Sequence, residues 1–174
     1  HVDLDSDKVN IIKDFGWNVD DLALSHDRRM LAVTTNEDGY SRLHLLDPAS
    51  GTERPAPAIP DGLIGQLRFS PDDTRLAFTV TTPRTPGDVH VLDLAGRGEL
   101  TRWTFSETGG LPAEGFVEPE LIHYPTFDTV DGRPRKIPAF YYRPAGKGPH
   151  PVFIQIHGGP EGQSRPGFSA TIQY

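Results

Sequence analysis

The segment His157-Gly158-Gly159-Pro160 holds the residue types in this sequence that best suit a chemical role. Glycine lets the backbone come close to a bound molecule and adopt positive φ angles. The N–H groups could stabilise the negative charge that develops on a carbonyl oxygen during acyl transfer, because fixed dipoles need no reorganisation. Gly159 is the first candidate donor and Gly158 the second, whereas Pro160 has no N–H and is expected to set the turn. A plainer alternative is that the Gly-Gly-Pro cluster only ends a strand.

The residues before this loop, 151–156, form a nearly continuous apolar run of strand length. Such a run is typical of a strand covered on both faces, as in a parallel sheet flanked by helices. An early buried strand followed by a His-Gly-Gly loop is how α/β-hydrolases build one side of the oxyanion hole. His157 is then expected to orient the loop by hydrogen bonding, because the triad histidine of that fold follows the nucleophile in chain order. Residues 168–174 could begin the first covering helix.

An internal repeat runs through the earlier part of the chain. Residues 22–34 and 67–79 share leucine, serine, aspartate, alanine and threonine at matching positions, about 45 residues apart. His44 and His90 each begin a second matching block, which indicates a structural or solvent-edge role for both histidines. A repeat of this length with several short strands is the size of a β-propeller blade. A generic β-meander or sandwich is the alternative.

Each repeat unit is predicted to contain antiparallel strands joined by short turns. Turns are expected at residues 25–29, 70–74 and 47–51, where Ser, Asp, Pro and Gly cluster between alternating apolar residues. Two units cannot close a propeller, because closure is what protects the strand edges. Further blades are therefore expected upstream or on a partner, and residues 1–4 are interpreted as the tail of an earlier blade.

The composition changes near residue 105, where a loop rich in Gly, Ser and Pro ends the repeat. Three units are predicted: the terminal blades of a β-propeller at 1–105, a junction at 106–116, and a truncated α/β-hydrolase domain at 117–174. In the last unit, residues 118–124 and 136–143 are predicted strands on either side of a turn at 131–134. Pro138 favours an edge position for the second of them.

Three stretches resemble the prolyl oligopeptidase family of serine peptidases. LRFSPDDTRLAF resembles the blade motif of their propellers, which TolB-like propellers share. VEPELIHYPTFDTVDGRPRKIPAFYYRP, followed by PVFIQIHGGPEGQSRPGF, resembles the start of their catalytic domain. The resemblance is greatest to the acylaminoacyl-peptidase and dipeptidyl-peptidase-like branch, and it covers essentially the whole chain. It implies a peptidase with a Ser/Asp/His triad and a propeller that restricts access to short peptides or acyl-peptides.

No member of that triad can be placed on this sequence. No Gly-x-Ser-x-Gly motif occurs, since Ser164 lacks the closing glycine and follows no predicted strand. His123, Asp128 and Asp131 precede the predicted sheet core, in the wrong order for triad members. The nucleophile is therefore expected beyond Tyr174. The chain, which does not begin with methionine, is expected to be a piece of a longer protein and inactive alone.

The composition narrows the expected partners. The formal net charge is −7 and no run rich in Lys or Arg occurs, so nucleic acid is not an expected partner. No apolar run approaches the roughly 20 residues that span a membrane, and no membrane association is expected. There is no cysteine and no zinc-type histidine spacing, so no metal or other cofactor is expected. The expected location is cytoplasmic; the expected partners are a short peptide and the rest of the same protein, with a homo-oligomer left open.

Two other functions stay open at this point. One is a TolB-like propeller that binds without catalysis, and the other is an esterase of the same fold. Antiparallel pairing of residues 151–156 inside a blade would favour the binding module, whereas a parallel central strand ending at His157 would exclude it. Glu118 and Glu120 could bind a peptide amino terminus, although a solvated loop is the plainer role for them.

Overall fold

The computed structural model describes residues 2–159 and 161–174. The expectations for His1 and Pro160 lie outside these ranges. Regular structure in the described residues is almost entirely antiparallel β-sheet, beginning with a small hairpin of β1 (Val2–Asp3) and β2 (Lys8–Val9). Within the same ranges no helix is long and apolar enough to cross a membrane.

Two four-stranded antiparallel sheets follow, each with its strands in chain order, and we call them the first and second blade. The first blade consists of β3 (Asn18–Leu24), β4 (Leu31–Glu37), β5 (Tyr40–Leu46) and β6 (Glu53–Arg54). The second blade consists of β7 (Leu63–Phe69), β8 (Arg75–Thr81), β9 (Asp88–Asp93) and β10 (Leu100–Arg102). Four-stranded sheets in this order are the unit of β-propellers, so the repeat is confirmed as a pair of blades. The described residues do not close a ring.

The shared Ser-x-Asp of the repeat closes the first turn of each blade in the same way. Ser25 Oγ donates to Asp27 Oδ1 at 2.7 Å, and Ser70 Oγ donates to Asp72 Oδ1 at 2.6 Å. Each serine N–H also bonds across the turn to a carbonyl oxygen five residues on, at 2.9 Å in both blades. The predicted turns at 25–29 and 70–74 are therefore confirmed, and the motif recurs because the same hydrogen bonds do.

Asp72 is expected to titrate well below an ordinary aspartate. Hydrogen bonds from Ser70 and then Thr74 lower the pKa of Asp72 from 3.8 to about 2. The stabilisation that this carboxylate gives is complete above pH 3.8 and is lost as the pH falls through about 2. A carboxyl-carbon NMR titration should show this pKa, and Ser70→Ala should move it towards 3.8. A wild-type value near 3.8 would contradict the turn geometry.

The apolar core lies between the facing sides of the two blades. Its buried side chains come from β4 and β5 of one blade and from β7, β8 and β9 of the other: Ala32, Leu43, Leu45, Ile64, Leu67, Leu76, Phe78, Val80 and Leu92. Leu67 is 1% exposed, whereas its repeat counterpart Leu22 is 61% exposed. The difference follows from stacking, because the first blade covers β7 and no described residue covers β3 in the same way.

The two blades are also joined by a polar contact between their first turns. Asp73 Oδ1 accepts hydrogen bonds from the backbone and the ring of His26, each at 2.8 Å. Asp73 Oδ2 accepts from the N–H of Asp27 at 2.8 Å. The turn of the second blade therefore caps the turn of the first.

The rest of the chain is a long hairpin with extended segments. β11 (Glu120–Val130) pairs with β12 (Arg133–Tyr141), and Asp131 and Gly132 turn between them with φ of 51° and 74°. This hairpin confirms the strands and the turn predicted there, and both strands are edges, as Pro138 requires. A short 3-10 helix covers Ala113–Gly115, and α1 (Ala170–Gln173) is a single helical turn.

The predicted strand at residues 151–156 is not formed. These residues lie outside the sheets, and Val152, Phe153, Ile154 and Ile156 are between 76% and 85% exposed. A central strand of a parallel sheet pairs its N–H and C=O groups with a neighbour on each side, and no described strand pairs with this run. The antiparallel pairing inside a blade that would favour a binding module is also absent from the described sheets. The α/β-hydrolase part of the predicted fold is therefore not observed.

Candidate active-site loop and its contacts with the blades

The loop that carries the predicted oxyanion donors folds tightly on itself. The ring Nδ1 of His157 lies 2.8 Å from the carbonyl oxygen of Gly158. Gly162 lies so close to that carbonyl and to the His157 ring that a Cβ at Gly162 would overlap both. A Cβ at Gly159 would lie 2.8 Å from the backbone nitrogens of Glu161 and Gly162. Close packing of the loop backbone therefore requires glycine at 159 and 162, whereas a Cβ at Gly158 would meet no atom within 4 Å.

Gly158 and Gly159 are exposed at the surface of the described structure. The contact of His157 with Gly158 joins adjacent residues, and the roles predicted for His157, Gly158 and Gly159 stay predictions. Pro160, the expected turn residue, lies outside the described ranges. Among residues 2–159 and 161–174, no group of three or more acidic or histidine side chains could hold a metal ion.

Arg165 ties the residues after this loop to the first blade. Its Nη1 donates to Asp20 Oδ2 at 2.7 Å, its Nε to the Gly39 carbonyl at 3.0 Å, and its Nη2 to Ser41 Oγ at 3.1 Å. The Arg165 side chain is 24% exposed and that of Asp20 is 29% exposed. Partial burial and the use of every guanidinium nitrogen make this a stronger link than an exposed ion pair.

Gln163 and Phe140 also contact the β4–β5 turn and the strand ends beside it. Asn36 Nδ2 donates to Gln163 Oε1 at 2.6 Å, while Asn36 Oδ1 accepts from the N–H of Gly39 at 3.0 Å. The ring of Phe140, near the end of β12, lies against Gly39 so closely that a Cβ there would be 2.8 Å away. The same ring packs edge-on against Tyr40 with 5.6 Å between centroids.

A second anchor joins the end of the chain to the second blade. Gln173 accepts from the N–H of Val117 at 2.8 Å and donates to the carbonyls of Val117 and Pro83, each at 2.9 Å. The rings of Phe116, Phe168 and Tyr174 pack edge-on against one another, 5.5 to 6.5 Å apart. The segment after the glycine loop therefore contacts the β4–β5 turn of one blade and the β8–β9 loop of the next.

Asp88 fixes the segment that leaves the second blade. This residue is 2% exposed and accepts hydrogen bonds from Arg102 at 2.6 Å, Thr104 at 2.9 Å and the N–H of Ser106 at 2.8 Å. Burial raises the pKa of Asp88, but these hydrogen bonds outweigh it and the pKa is lowered overall. A buried carboxylate held this way sets the direction in which the chain leaves β10.

The other polar residues singled out by the sequence have structural contacts. His44 lies 2.7 Å from Glu53 Oε1 and 3.0 Å from Thr35 Oγ1, and His90 is buried beside Phe78. Glu118 forms an ion pair with Arg84 at 3.2 Å. Of the two roles predicted for these histidines, the burial of His90 and the contacts of His44 favour the structural one over the solvent edge.

Sequence reasoning missed the link made by Arg165. Its contacts with Gly39 and Asp20 span 126 and 145 residues of chain. No local periodicity or turn motif carries information at that distance. The only signal in the sequence is that Arg165 follows a glycine-rich loop closely.

Among the comparisons with known proteins, the one with solved structures found matches, and these matches concern the fold. No protein-family model matches the chain, and no curated protein matches it. A structure from a mechanistic analysis of two prolyl endopeptidases superimposes with a TM-score of 0.58 at 16% identity, over 74% of this chain and 17% of that chain. Apo prolyl oligopeptidase B from Galerina marginata gives 0.57 at 17% identity, over 74% of this chain and 17% of that chain. A mutant of that enzyme, bound to a 35mer hydrolysis and macrocyclization substrate, gives 0.57 at 15% identity, over 70% and 16%.

The chain has the fold of a stretch of a prolyl oligopeptidase. The antiparallel sheets match the propeller domain of these enzymes. The chain spans about a sixth of the length of the solved structures that it matches. At 15% to 17% identity the likeness concerns the fold alone.

Proposed function

We propose that this chain is part of a serine peptidase that hydrolyses short peptides or acyl-peptides. The observation that carries the proposal is an order of elements. Two propeller blades are followed by a His-Gly-Gly loop, and the residues after that loop fold back onto those blades. The solved structures compared above are prolyl oligopeptidases and prolyl endopeptidases, which supports the same reaction class. The acylaminoacyl-peptidase and dipeptidyl-peptidase-like branch is the specific assignment we propose.

In the proposed mechanism this chain supplies one side of the oxyanion hole. The N–H of Gly159, with that of Gly158 as the second candidate, stabilises the tetrahedral intermediate, and His157 orients the loop. The Ser, Asp and His of the triad come from elsewhere in the protein. The propeller blades, residues 1–105, limit access to short peptides. Residues 117–174 belong to the catalytic domain, and residues 106–116 join the two. A cytoplasmic location stays a prediction.

Residues 151–156 are proposed to become a central strand when the rest of the hydrolase sheet is present. Val152 and Phe153 are adjacent in sequence and both are 85% exposed, so neighbouring positions both carry apolar surface. A strand with one solvated face would alternate apolar and polar side chains instead. This pattern supports burial on both faces.

The exposed face of β3 is proposed to contact an earlier blade. Leu22 and Leu24 are 61% and 46% exposed, and the matching positions of the second blade lie against the first blade. A sheet stacked on β3 would bury them as the first blade buries Leu67. The remaining blades of the same protein are the partner that this geometry supports, and homo-oligomerisation stays a prediction.

The proposal is tested by assaying the full-length protein that carries this chain. Peptidyl and acylaminoacyl p-nitroanilides should be hydrolysed, and a fluorophosphonate should label one serine. The 174-residue chain alone should do neither. Turnover by this chain alone would show that the triad is wrongly placed. Cleavage of p-nitrophenyl esters but not of the p-nitroanilides would identify an esterase. A full-length protein that cleaves neither substrate and is not labelled would favour a binding module.

A further inference from the structure

We infer that Arg165 is a positioning residue that fixes the oxyanion loop relative to the first blade. This inference rests on the proposed function and adds a role for the blade itself. The blade would then do more than restrict access, because its β4–β5 turn would help to place the donor N–H groups. Gly159 lies only six residues before Arg165, so fixing the position of Arg165 limits how far Gly159 can move.

The geometry favours arginine over other residues at this place. One guanidinium reaches three different acceptors on the first blade: a carboxylate, a backbone carbonyl and a hydroxyl. These acceptors are spread over two strands and a turn, so the contact fixes orientation as well as distance. A lysine has a single point charge and cannot reproduce a planar fork.

Two of the three acceptors are themselves held in place. Ser41 is buried and its N–H donates to the Gly62 carbonyl at 2.9 Å, which ties it to the start of the second blade. Asp20 lies at the irregular point of β3, where the register with β4 shifts. Gly39 is enclosed by the Phe140 ring. Ser41 and Gly39 therefore give Arg165 two fixed acceptors, as a positioning contact requires.

The loop can pass this constraint on because it is closely packed. Gly162 touches the Gly158 carbonyl, and the His157 ring touches that same carbonyl. Gln163, immediately after the loop, is bonded to Asn36 of the blade at 2.6 Å. Releasing Arg165 would therefore leave the Asn36–Gln163 hydrogen bond as the nearest side-chain link between the loop end and the first blade, with the next anchor at Phe168 and Gln173.

The test compares Arg165→Ala and Arg165→Lys in the full-length protein. Arg165→Ala should lower kcat about 10- to 100-fold, since small displacements of reacting groups have effects of that size. KM should stay within about twofold, because uniform substrate binding does not depend on the donor N–H groups. The Ki of a peptide boronate, which forms a tetrahedral adduct, should rise as kcat/KM falls, while the Ki of a product-like peptide should not change. The kcat and the boronate Ki of Arg165→Lys should lie between those of the wild type and those of Arg165→Ala.

Arg29→Ala is the matched control, because Arg29 is an exposed arginine at the opposite end of the first blade. It should leave all these constants unchanged. A lowered Tm for Arg165→Ala with unchanged kcat and boronate Ki would overturn the inference and leave Arg165 a structural residue. Hydrogen exchange of residues 36–41 and 157–168 gives a readout without activity. Faster exchange in both segments supports the link even if the protein hydrolyses nothing, and unchanged exchange overturns it.

Discussion

Phe78→Ala is expected to destabilise the propeller by about 3–5 kcal/mol, the usual range for a buried phenylalanine truncated to alanine. Phe78 is 1% exposed and lies in the core shared by the two blades. Its removal leaves a cavity that strands held by ladders on both sides cannot fill by collapsing. The measurement is the urea midpoint of the propeller transition in the full-length protein.

Phe127→Ala is the matched control for this prediction. The Phe127 ring is fully exposed on the β11–β12 hairpin, so its truncation should change stability by no more than about 0.5 kcal/mol. Equal effects of the two substitutions would show that the blades do not share the core described above.

Asp88→Ala is expected to cost about 3 kcal/mol, because it removes a buried acceptor of several hydrogen bonds and leaves Arg102 without its carboxylate. The loss should fall on the segment that leaves β10, since Thr104 and Ser106 both depend on this side chain. Hydrogen exchange at Val89 and Ser106 should accelerate, because Val89 N–H donates to Thr104 Oγ1. Thermal unfolding of the full-length protein measures the overall cost.

Asp61→Ala is the control, because Asp61 bonds Arg42 at 2.7 Å but both side chains are well exposed. That pair should contribute no more than about 1 kcal/mol. The lowered pKa of Asp88 adds a pH dependence: its stabilisation is complete above pH 3.8 and is lost as the pH falls through the lower folded-state value. Equal losses for Asp61→Ala and Asp88→Ala would contradict the burial argument.

The blades could be predicted from the sequence because their determinants are local. Ser70 and Asp72 are two residues apart and close one turn, and Leu76, Phe78 and Val80 alternate along one strand. Alternation and turn chemistry act over a few residues, so a pattern read along the chain finds them. The repeat then indicated that two such units occur.

The strand predicted at 151–156 shows where that reasoning ends. Its apolar pattern is consistent with burial, but a central strand exists only when other strands pair with it, and the pairing partners are not in the described sheets. Arg165 shows a second limit, because its acceptors are more than a hundred residues away in the chain. Local patterns predict elements well and predict neither their partners nor the side chains that join them.

The contact that Asp73 makes with the preceding turn gives the stack of blades a direction. Arg28 occupies the matching place in the first blade and has the same left-handed backbone, with φ of 60° against 56° for Asp73. A guanidinium donates hydrogen bonds and cannot accept them, so Arg28 cannot cap a preceding turn as Asp73 does. The two repeats therefore share one backbone shape but differ in whether their turn can accept hydrogen bonds from a preceding blade. Exchanging the two repeats would therefore lose the hydrogen bonds by which Asp73 joins the second blade to the turn of the preceding blade.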